Sequence, residues 1–122
     1  MTTRILIPTE DREGTEAAEH FGRAPYFAVI DLDDNGTAIE IKVHPNIGEH
    51  SGGRGHAHIN VQKYQPRAVI VQGMGPRGIT SFQALNIAVL RANSRSVQEI
   101  IQAYHQNTLD ELTEGCADAH HK

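Results

Sequence analysis

Short runs of consecutive apolar residues constrain the fold of this chain more than any other feature. "RAVIVQG", Arg67 to Gly73, is rich in β-branched residues, and "IAVLR", Ile87 to Arg91, is a second apolar run. Such runs are typical of strands buried on both faces, as in parallel sheets covered by helices. "RILIP", Arg4 to Pro8, ends at a proline and predicts another buried strand. We expect these three strands at the centre of a sheet.

The dipeptide Asn35-Gly36 predicts a β-hairpin, because these two residues are favoured in its tight turn. The segment before it, "PYFAVIDLD" from Pro25 to Asp33, is rich in strand-forming residues. The segment after it, "TAIEIKVH" from Thr37 to His44, alternates apolar and polar residues. That alternation predicts a strand with one apolar face and one solvated face. The apolar face would hold Ile39, Ile41 and Val43.

Three segments predict helices, one after each of the last three strands. His56–Gln65 has helical apolar spacing and stops before Pro66. Pro76 occupies a first helical position ahead of "ITSFQALN". Ser96 begins a capping box with Glu99, and apolar residues then recur with helical period. Strands and helices in this order predict an α/β fold with a mixed sheet and helices on its faces.

Length and composition indicate one domain, residues 1–106, followed by a polar tail, residues 107–122, that we expect to be poorly ordered. The net charge is −4 and no run is polybasic, which disfavours nucleic acid as a partner. No apolar stretch approaches the roughly 20 residues that span a membrane. The start lacks the pattern of a secretory signal, so we expect a cytoplasmic protein. The single cysteine, Cys116, excludes an internal disulfide.

The segment "GMGPRG", Gly73 to Gly78, joins a predicted strand to a predicted helix. Ligands of open α/β sheets sit beyond the carboxyl ends of the strands, where free N–H groups at a helix start favour an anion. Glycines let the backbone approach a ligand closely, and Arg77 adds positive charge. The alternative is a tight turn without a ligand. The glycine spacing matches no nucleotide-binding motif.

The segment "HFGRAPYF", His20 to Phe27, delivers an imidazole and the Arg23 guanidinium just before a strand. Phe21, with Tyr26 or Phe27, can anchor the turn, and Gly22 permits an unusual backbone angle. The alternative is an aromatic-anchored strand entry with a surface arginine.

The segment "EHSGGRGHAH", Glu49 to His58, packs histidines and glycines together. His56 and His58 are candidate metal ligands, since imidazole suits Zn, Cu, Fe or Ni, and His50 lies close enough to join them. The alternative is a solvated loop with spare histidines. Cys116 lies shortly before His120 and His121, a weak chelating pattern for which a disordered tail is the simpler interpretation.

Two segments together, "HFGRAPYF" and "VIVQGMGPRGITSFQALNIAV", resemble the nitrogenase iron–molybdenum cofactor biosynthesis family. The resemblance extends from residue 4 to about residue 105. That family contains carriers of the nitrogenase cofactor and its precursors. It also contains small single-domain relatives such as the orange protein, which holds a molybdenum–copper sulfide cluster. The resemblance implies a ribonuclease H-like, mixed five-stranded sheet.

The resemblance also implies binding and delivery of a metal–sulfur cluster, molybdenum with iron or copper, rather than catalysis. Cluster-donor or cluster-acceptor proteins would be partners. The sequence departs from thiolate ligation, because its one cysteine excludes a multiply cysteine-ligated cluster within one chain. Two alternatives stay open, a regulatory module that binds a small anion and a ribonuclease H-like nuclease. The candidate cofactor-binding residues are His20, Arg23, His50, Arg54, His56, His58, Gly73, Met74, Gly75, Arg77 and Gly78.

Overall fold

The computed structural model describes residues 2–46, 61 and 63–112. The strands are β1 (Thr3–Thr9), β2 (Tyr26–Leu32), β3 (Ala38–Pro45), β4 (Ala68–Val71) and β5 (Ala88–Arg91). The helices with described bounds are α1 (Pro76–Gln83) and α2 (Val97–His105). The helix predicted over His56–Gln65 lies mostly outside the described residues.

The five strands form one mixed sheet in the order β3-β2-β1-β4-β5. β2 runs antiparallel to β1 and β3, whereas β1, β4 and β5 are parallel. The predicted α/β class and mixed five-stranded sheet are therefore confirmed. The prediction that β5 is central is wrong, because β5 is the last strand in the sheet order. It pairs with β4 on one side, and on its other side the described residues form only an isolated bridge, Leu90 to Glu111.

The sheet separates two apolar clusters, one under α1 and the other under α2. Side chains on the α1 face include Leu6, Phe21, Phe27, Val29, Val69, Val71, Ile79, Phe82 and Val89. Side chains on the α2 face include Ile5, Ile7, Ala28, Ile30, Leu32, Ile70, Val97, Ile100 and Ile101. Strands β1, β2 and β4 contribute to both clusters, which explains why their sequences lack an alternating polar face.

The predicted hairpin joins β2 to β3, but its turn differs from the one that Asn-Gly favours most. The Gly36 N–H donates to the Asp33 carbonyl at 3.0 Å, and the Thr37 N–H donates to the Asp33 carboxylate at 2.9 Å. Gly36 has a φ of +81°, while Asn35 has no positive φ. This is the three-residue hairpin loop in which a left-handed glycine follows a type I turn.

Strand β3 buries less of its apolar face than its alternation predicts. Ile39 is 55% exposed and Ile41 is 46% exposed, whereas Val43 packs against the α2-side cluster. β3 is an edge strand, and its register with β2 shifts at Asp31/Leu32. An edge position and a local bulge leave these isoleucines outside the core.

Both helices begin where the sequence predicts and end at an asparagine motif that it did not reveal. α1 has proline at its first position, and the Ser96 hydroxyl caps α2 by accepting the Glu99 N–H at 3.3 Å. Asn86 and Asn107, just past the two helices, each have a φ of 62°. These left-handed residues close the last turn of each helix.

Residues beyond α2 return along the outer side of β5. The Arg91 N–H donates to the Asp110 carbonyl at 2.8 Å, and the Leu112 N–H donates to the Val89 carbonyl at 2.7 Å. Leu112 is buried in the α1-side cluster. This contact was not predicted from the sequence, because we expected the chain to be poorly ordered from residue 107 onward.

Candidate functional site

One edge of the sheet collects the loops that carry the candidate residues. β1, β4 and β5 end at this edge because they are parallel. Thr9 pairs with Tyr26, and Tyr26 pairs with Pro45, so β2 begins and β3 ends there as well. The segments 10–25 and 72–75, and the chain after Pro45, therefore all leave the sheet at its carboxyl edge, where α/β proteins bind ligands.

A solvent-open cleft of about 500 Å³ lies between two of these segments. Its described lining consists of His20, Phe21, Gly22, Arg23, Gly73, Met74 and Gly75. The fold thus brings together residues that are some 50 positions apart in the sequence, and all of them except Phe21 and Gly22 were candidate binding residues from the sequence. The cleft lies on the α1 face, because Phe21 and Met74 pack with the cluster under that helix.

Aromatic packing fixes the first wall of the cleft. Phe21 is 7% exposed, and its ring centroid lies 5.1 Å from that of Phe27 and 5.6 Å from that of Phe82. The contact with Phe82 is edge-to-face, a favoured arrangement of two rings. This anchor holds His20 and Arg23, both exposed, on either side of a buried residue. The predicted anchoring role of Phe21 thus involves Phe27 rather than Tyr26.

Three glycines of the cleft have no role that the fold requires. A Cβ atom added at Gly22, Gly73 or Gly75 would meet no heavy atom within 4 Å, and none of the three has a positive φ. Alanine would therefore fit at each position without strain. What the missing side chains do provide is open access to the backbone from the cleft.

Gly78 and Arg77 lie beside the cleft but outside its lining. A Cβ atom at Gly78 would come within 2.7 Å of the Met74 sulfur, so Gly78 makes room for the Met74 side chain. Arg77 is exposed in the first turn of α1. Met74 is half-buried, with its thioether held between Gly78 and the apolar cluster.

The described lining of the cleft offers backbone N–H donors and one positive charge. No hydrogen bond of the Gly22 or Arg23 N–H is found within the described part of the chain. The N-cap of α1, Gly75, has no side chain to satisfy the first free N–H groups of that helix, which point toward its start. Among the described lining residues, Arg23 carries a permanent charge and none carries a carboxylate. The cleft is therefore suited to an anion.

His20 is the one imidazole in the described lining. Its side chain is 62% exposed, and Nε2 lies 4.0 Å from a carboxylate oxygen of Glu19. The ring is thus open to solvent and to a ligand in the cleft. A metal ion or a hydrogen-bond acceptor can reach it without any change in the core.

Asn46 is a residue of this region that the sequence did not single out. It is 4% exposed, and its side-chain amide donates to the carbonyls of Gly22 and Ala24. A lone asparagine after a strand is typical of a turn. Its sequence position gives no sign that it reaches back to a segment more than 20 residues earlier.

The remaining candidates lie outside the described residues. These are His50, Arg54, His56 and His58, together with Cys116, His120 and His121 of the tail. Within residues 2–46, 61 and 63–112, no three His, Cys, Asp or Glu side chains converge on a point where they could hold a metal ion. In the same residues, neither helix has the length and apolarity needed to cross a membrane.

Comparison with known proteins identifies one family and one similar curated protein. The family described as "Dinitrogenase iron-molybdenum cofactor" matches residues 1–107. An uncharacterized protein of Methanocaldococcus jannaschii is 27% identical over 112 residues, covering 89% of this chain and 91% of that protein.

Two solved structures have the same fold. The protein PH0822 superposes with a TM-score of 0.76 and 25% identity, covering 89% of this chain and 94% of that one. The apo form of the orange protein from Desulfovibrio gigas superposes with a TM-score of 0.73 and 21% identity, covering 90% of this chain and 92% of that one.

Proposed function

The chain belongs to the dinitrogenase iron-molybdenum cofactor family, and from this membership we propose that it binds and delivers an anionic metal–sulfur cluster. It acts in this proposal as a carrier and not as an enzyme. The cargo is a molybdenum-containing cluster, or a precursor, with iron or copper as the second metal. Cluster-donor and cluster-acceptor proteins are its partners, and neither nucleic acid nor a membrane is involved.

The observation that carries the proposal is the set of glycines without a structural role. Gly22, Gly73 and Gly75 expose backbone to the cleft from both walls, and the fold would accept alanine at each. A ligand that hydrogen-bonds to the backbone explains their absent side chains, since a Cβ atom would keep it at a distance. An anion explains why the same walls carry Arg23 and no carboxylate.

The proposed chemistry follows from these donors. Sulfides of a thiometallate accept hydrogen bonds from N–H groups, and those bonds are strengthened by the negative charge. The Arg23 guanidinium supplies the opposite charge. His20 offers an imidazole and Met74 a thioether, ligands that suit transition metals, with the thioether favouring Cu(I). The cleft is open to solvent, so that a cluster can enter and leave without unfolding of the core.

The ribonuclease H-like classification and the cytoplasmic location stay part of this proposal. The mixed sheet with a helix on each face supports the first. The sequence expectation alone supports the second.

Titration with tetrathiomolybdate, followed by visible absorption under anaerobic conditions, tests the proposal. We expect the unaltered protein to bind it and Gly73→Ala, Gly75→Ala and Arg23→Gln each to weaken binding about tenfold, the value of one charge-assisted hydrogen bond. Arg12→Gln is the matched control. Arg12 is exposed, and its loop packs through Gly14 near Val43 on the opposite face. That variant should bind within about twofold of the unaltered protein.

Two results would contradict a cluster carrier whose binding site is this cleft. Equal binding by all four variants would show that the cleft is not the site. Binding of phosphate or sulfate, with no binding of tetrathiomolybdate, would favour the small-anion module, which the same N–H donors and Arg23 also suit. His20→Ala adds a further distinction, because loss of a metal ligand changes the absorption spectrum, whereas loss of a charge contact changes affinity alone.

A further inference from the structure

Asn46 makes several hydrogen bonds to one short segment of the chain. Its side-chain amide donates to the Ala24 carbonyl at 2.8 Å and to the Gly22 carbonyl at 3.3 Å. Its backbone N–H donates to the Pro25 carbonyl at 2.9 Å. All three acceptors lie in the segment that forms one wall of the cleft or directly follows it. With an exposure of 4%, Asn46 is itself shielded from water.

The position of Asn46 in the sequence connects this wall to the histidine-bearing segment. It directly follows β3, which ends at Pro45. The chain then continues into the segment that contains His50, Arg54, His56 and His58. Asn46 is therefore both the first residue after β3 and the residue that bonds to the segment with the His20–Arg23 wall.

The hydrogen bond from Asn46 to the Gly22 carbonyl also sets the direction of the Arg23 N–H. A peptide unit is planar, and its C=O and N–H point in opposite directions. When the Gly22 carbonyl points to Asn46, the N–H of Arg23 must point away from Asn46. Gly22 and Arg23 both line the cleft, and no acceptor for this N–H is found in the described part of the chain.

We propose that Asn46 is a positioning residue of the cleft, which orients the Gly22–Arg23 peptide so that its N–H and the Arg23 side chain face an anionic ligand. This inference rests on the proposed function for the nature of the ligand. The orientation of the peptide does not depend on it. Asn46 acts through the loop and need not touch the ligand.

Asn46→Asp is the sharpest variant, because it keeps the size of the side chain and replaces the amide donor with an oxygen. That oxygen would face the Gly22 and Ala24 carbonyls and repel them. Asn35→Asp is the matched control, since it makes the same chemical change at an exposed position in the β2–β3 turn, at the other end of the sheet. Asn46→Ala removes the donor without adding charge, and it replaces Asn46→Asp in the experiment if Asn46→Asp does not fold.

The experiment combines amide NMR spectra of the ligand-free variants with tetrathiomolybdate titration. We expect Asn46→Asp and Asn46→Ala to shift the Gly22 and Arg23 amide signals, to leave those of Ile5–Ile7 unchanged, and to weaken binding about tenfold. Asn35→Asp should leave the cleft signals and the affinity unchanged. In Asn46→Asp, lowering the pH should return the cleft signals toward their original positions, because a protonated carboxyl regains a donor.

Two outcomes overturn the inference: unshifted Gly22 and Arg23 signals, or shifted signals with unchanged affinity. Failure of the proposed function looks different. The unaltered protein would then bind no tetrathiomolybdate, and the ligand-free spectra alone would decide whether Asn46 orients the peptide.

Discussion

Glycines serve two different purposes in this chain, and the backbone separates them. Gly14 and Gly36 have φ values of +75° and +81°, which L-residues with a side chain rarely adopt. Both are also packed, Gly14 against Val43 and Gly36 against the His105 ring. The cleft glycines share neither property. The proposed function accounts for these cleft glycines, because a ligand that bonds to the backbone needs them to lack side chains.

Gly36→Ala should lower the free energy of unfolding by about 1–2 kcal/mol or more, because alanine resists the left-handed conformation. Its Cβ atom would also overlap the His105 ring. Urea denaturation measures the change, and Gly22→Ala, for which the structure has open space, should stay within about 0.5 kcal/mol. His105→Ala combined with Gly36→Ala should recover part of the loss. Equal stability of Gly36→Ala and Gly22→Ala would contradict the claim that the fold requires glycine at position 36 but not at position 22.

At the scale of elements, the sequence predicted what depends on local signals. Pro76 marks the start of α1 and Ser96 caps α2, because each residue acts within one helical turn. It could not predict that β5 lies at an edge or that Ile41 is exposed, since both depend on which strands become neighbours. The residues of the site likewise divide into those that local sequence predicts and those that only the fold reveals. The cleft loops carry local glycine and arginine patterns, whereas the role of Asn46 arises only when β3 ends beside the Gly22 loop.

Two carboxylates, Asp31 between two strands and Asp11 within one loop, should make the stability of the protein depend on pH. The Arg4 guanidinium donates to both oxygens of Asp31, at 2.9 and 3.2 Å, across the paired strands β1 and β2. The hydrogen bond from Arg4 lowers the pKa of Asp31. Burial alone would raise the pKa of Asp11, but hydrogen bonds from Thr15 and Glu16 outweigh it and lower that pKa.

The sign of the effect follows from these lowered values. A carboxyl whose pKa is lower when folded stabilises the protein above its unfolded pKa of about 4, and that stabilisation is lost as the pH falls through the folded value. We expect the free energy of unfolding to decrease below about pH 4. Asp31→Asn should show a smaller decrease, with a cost at pH 7 of at most about 1 kcal/mol because Arg4 is partly exposed. An identical pH dependence in the variant would show that the pair contributes nothing.

On the scale of the whole molecule, the cleft is built on the best-supported part of the sheet. β1 pairs with β2 on one side and β4 on the other, and both of its faces are covered. The Gly73–Gly75 segment follows β4 almost directly, and the His20–Arg23 segment belongs to the connection from β1 to β2. A base of paired and buried strands beneath solvent-open loops suits the proposed carrier, which must keep its shape while its cargo enters and leaves.

Native-state hydrogen exchange tests this distribution of stability. We expect the amides of Ile5–Ile7 and of Val69 and Ile70 to exchange slowest, since their strands are paired on both sides and buried on both faces. Amides of β3 should exchange faster, because β3 is an edge strand with exposed Ile39 and Ile41. If β3 were protected as strongly as β1, something would have to cover its edge. Protection that rises with protein concentration would identify a second copy of the chain as that cover, and protection independent of concentration would place the cover within the chain.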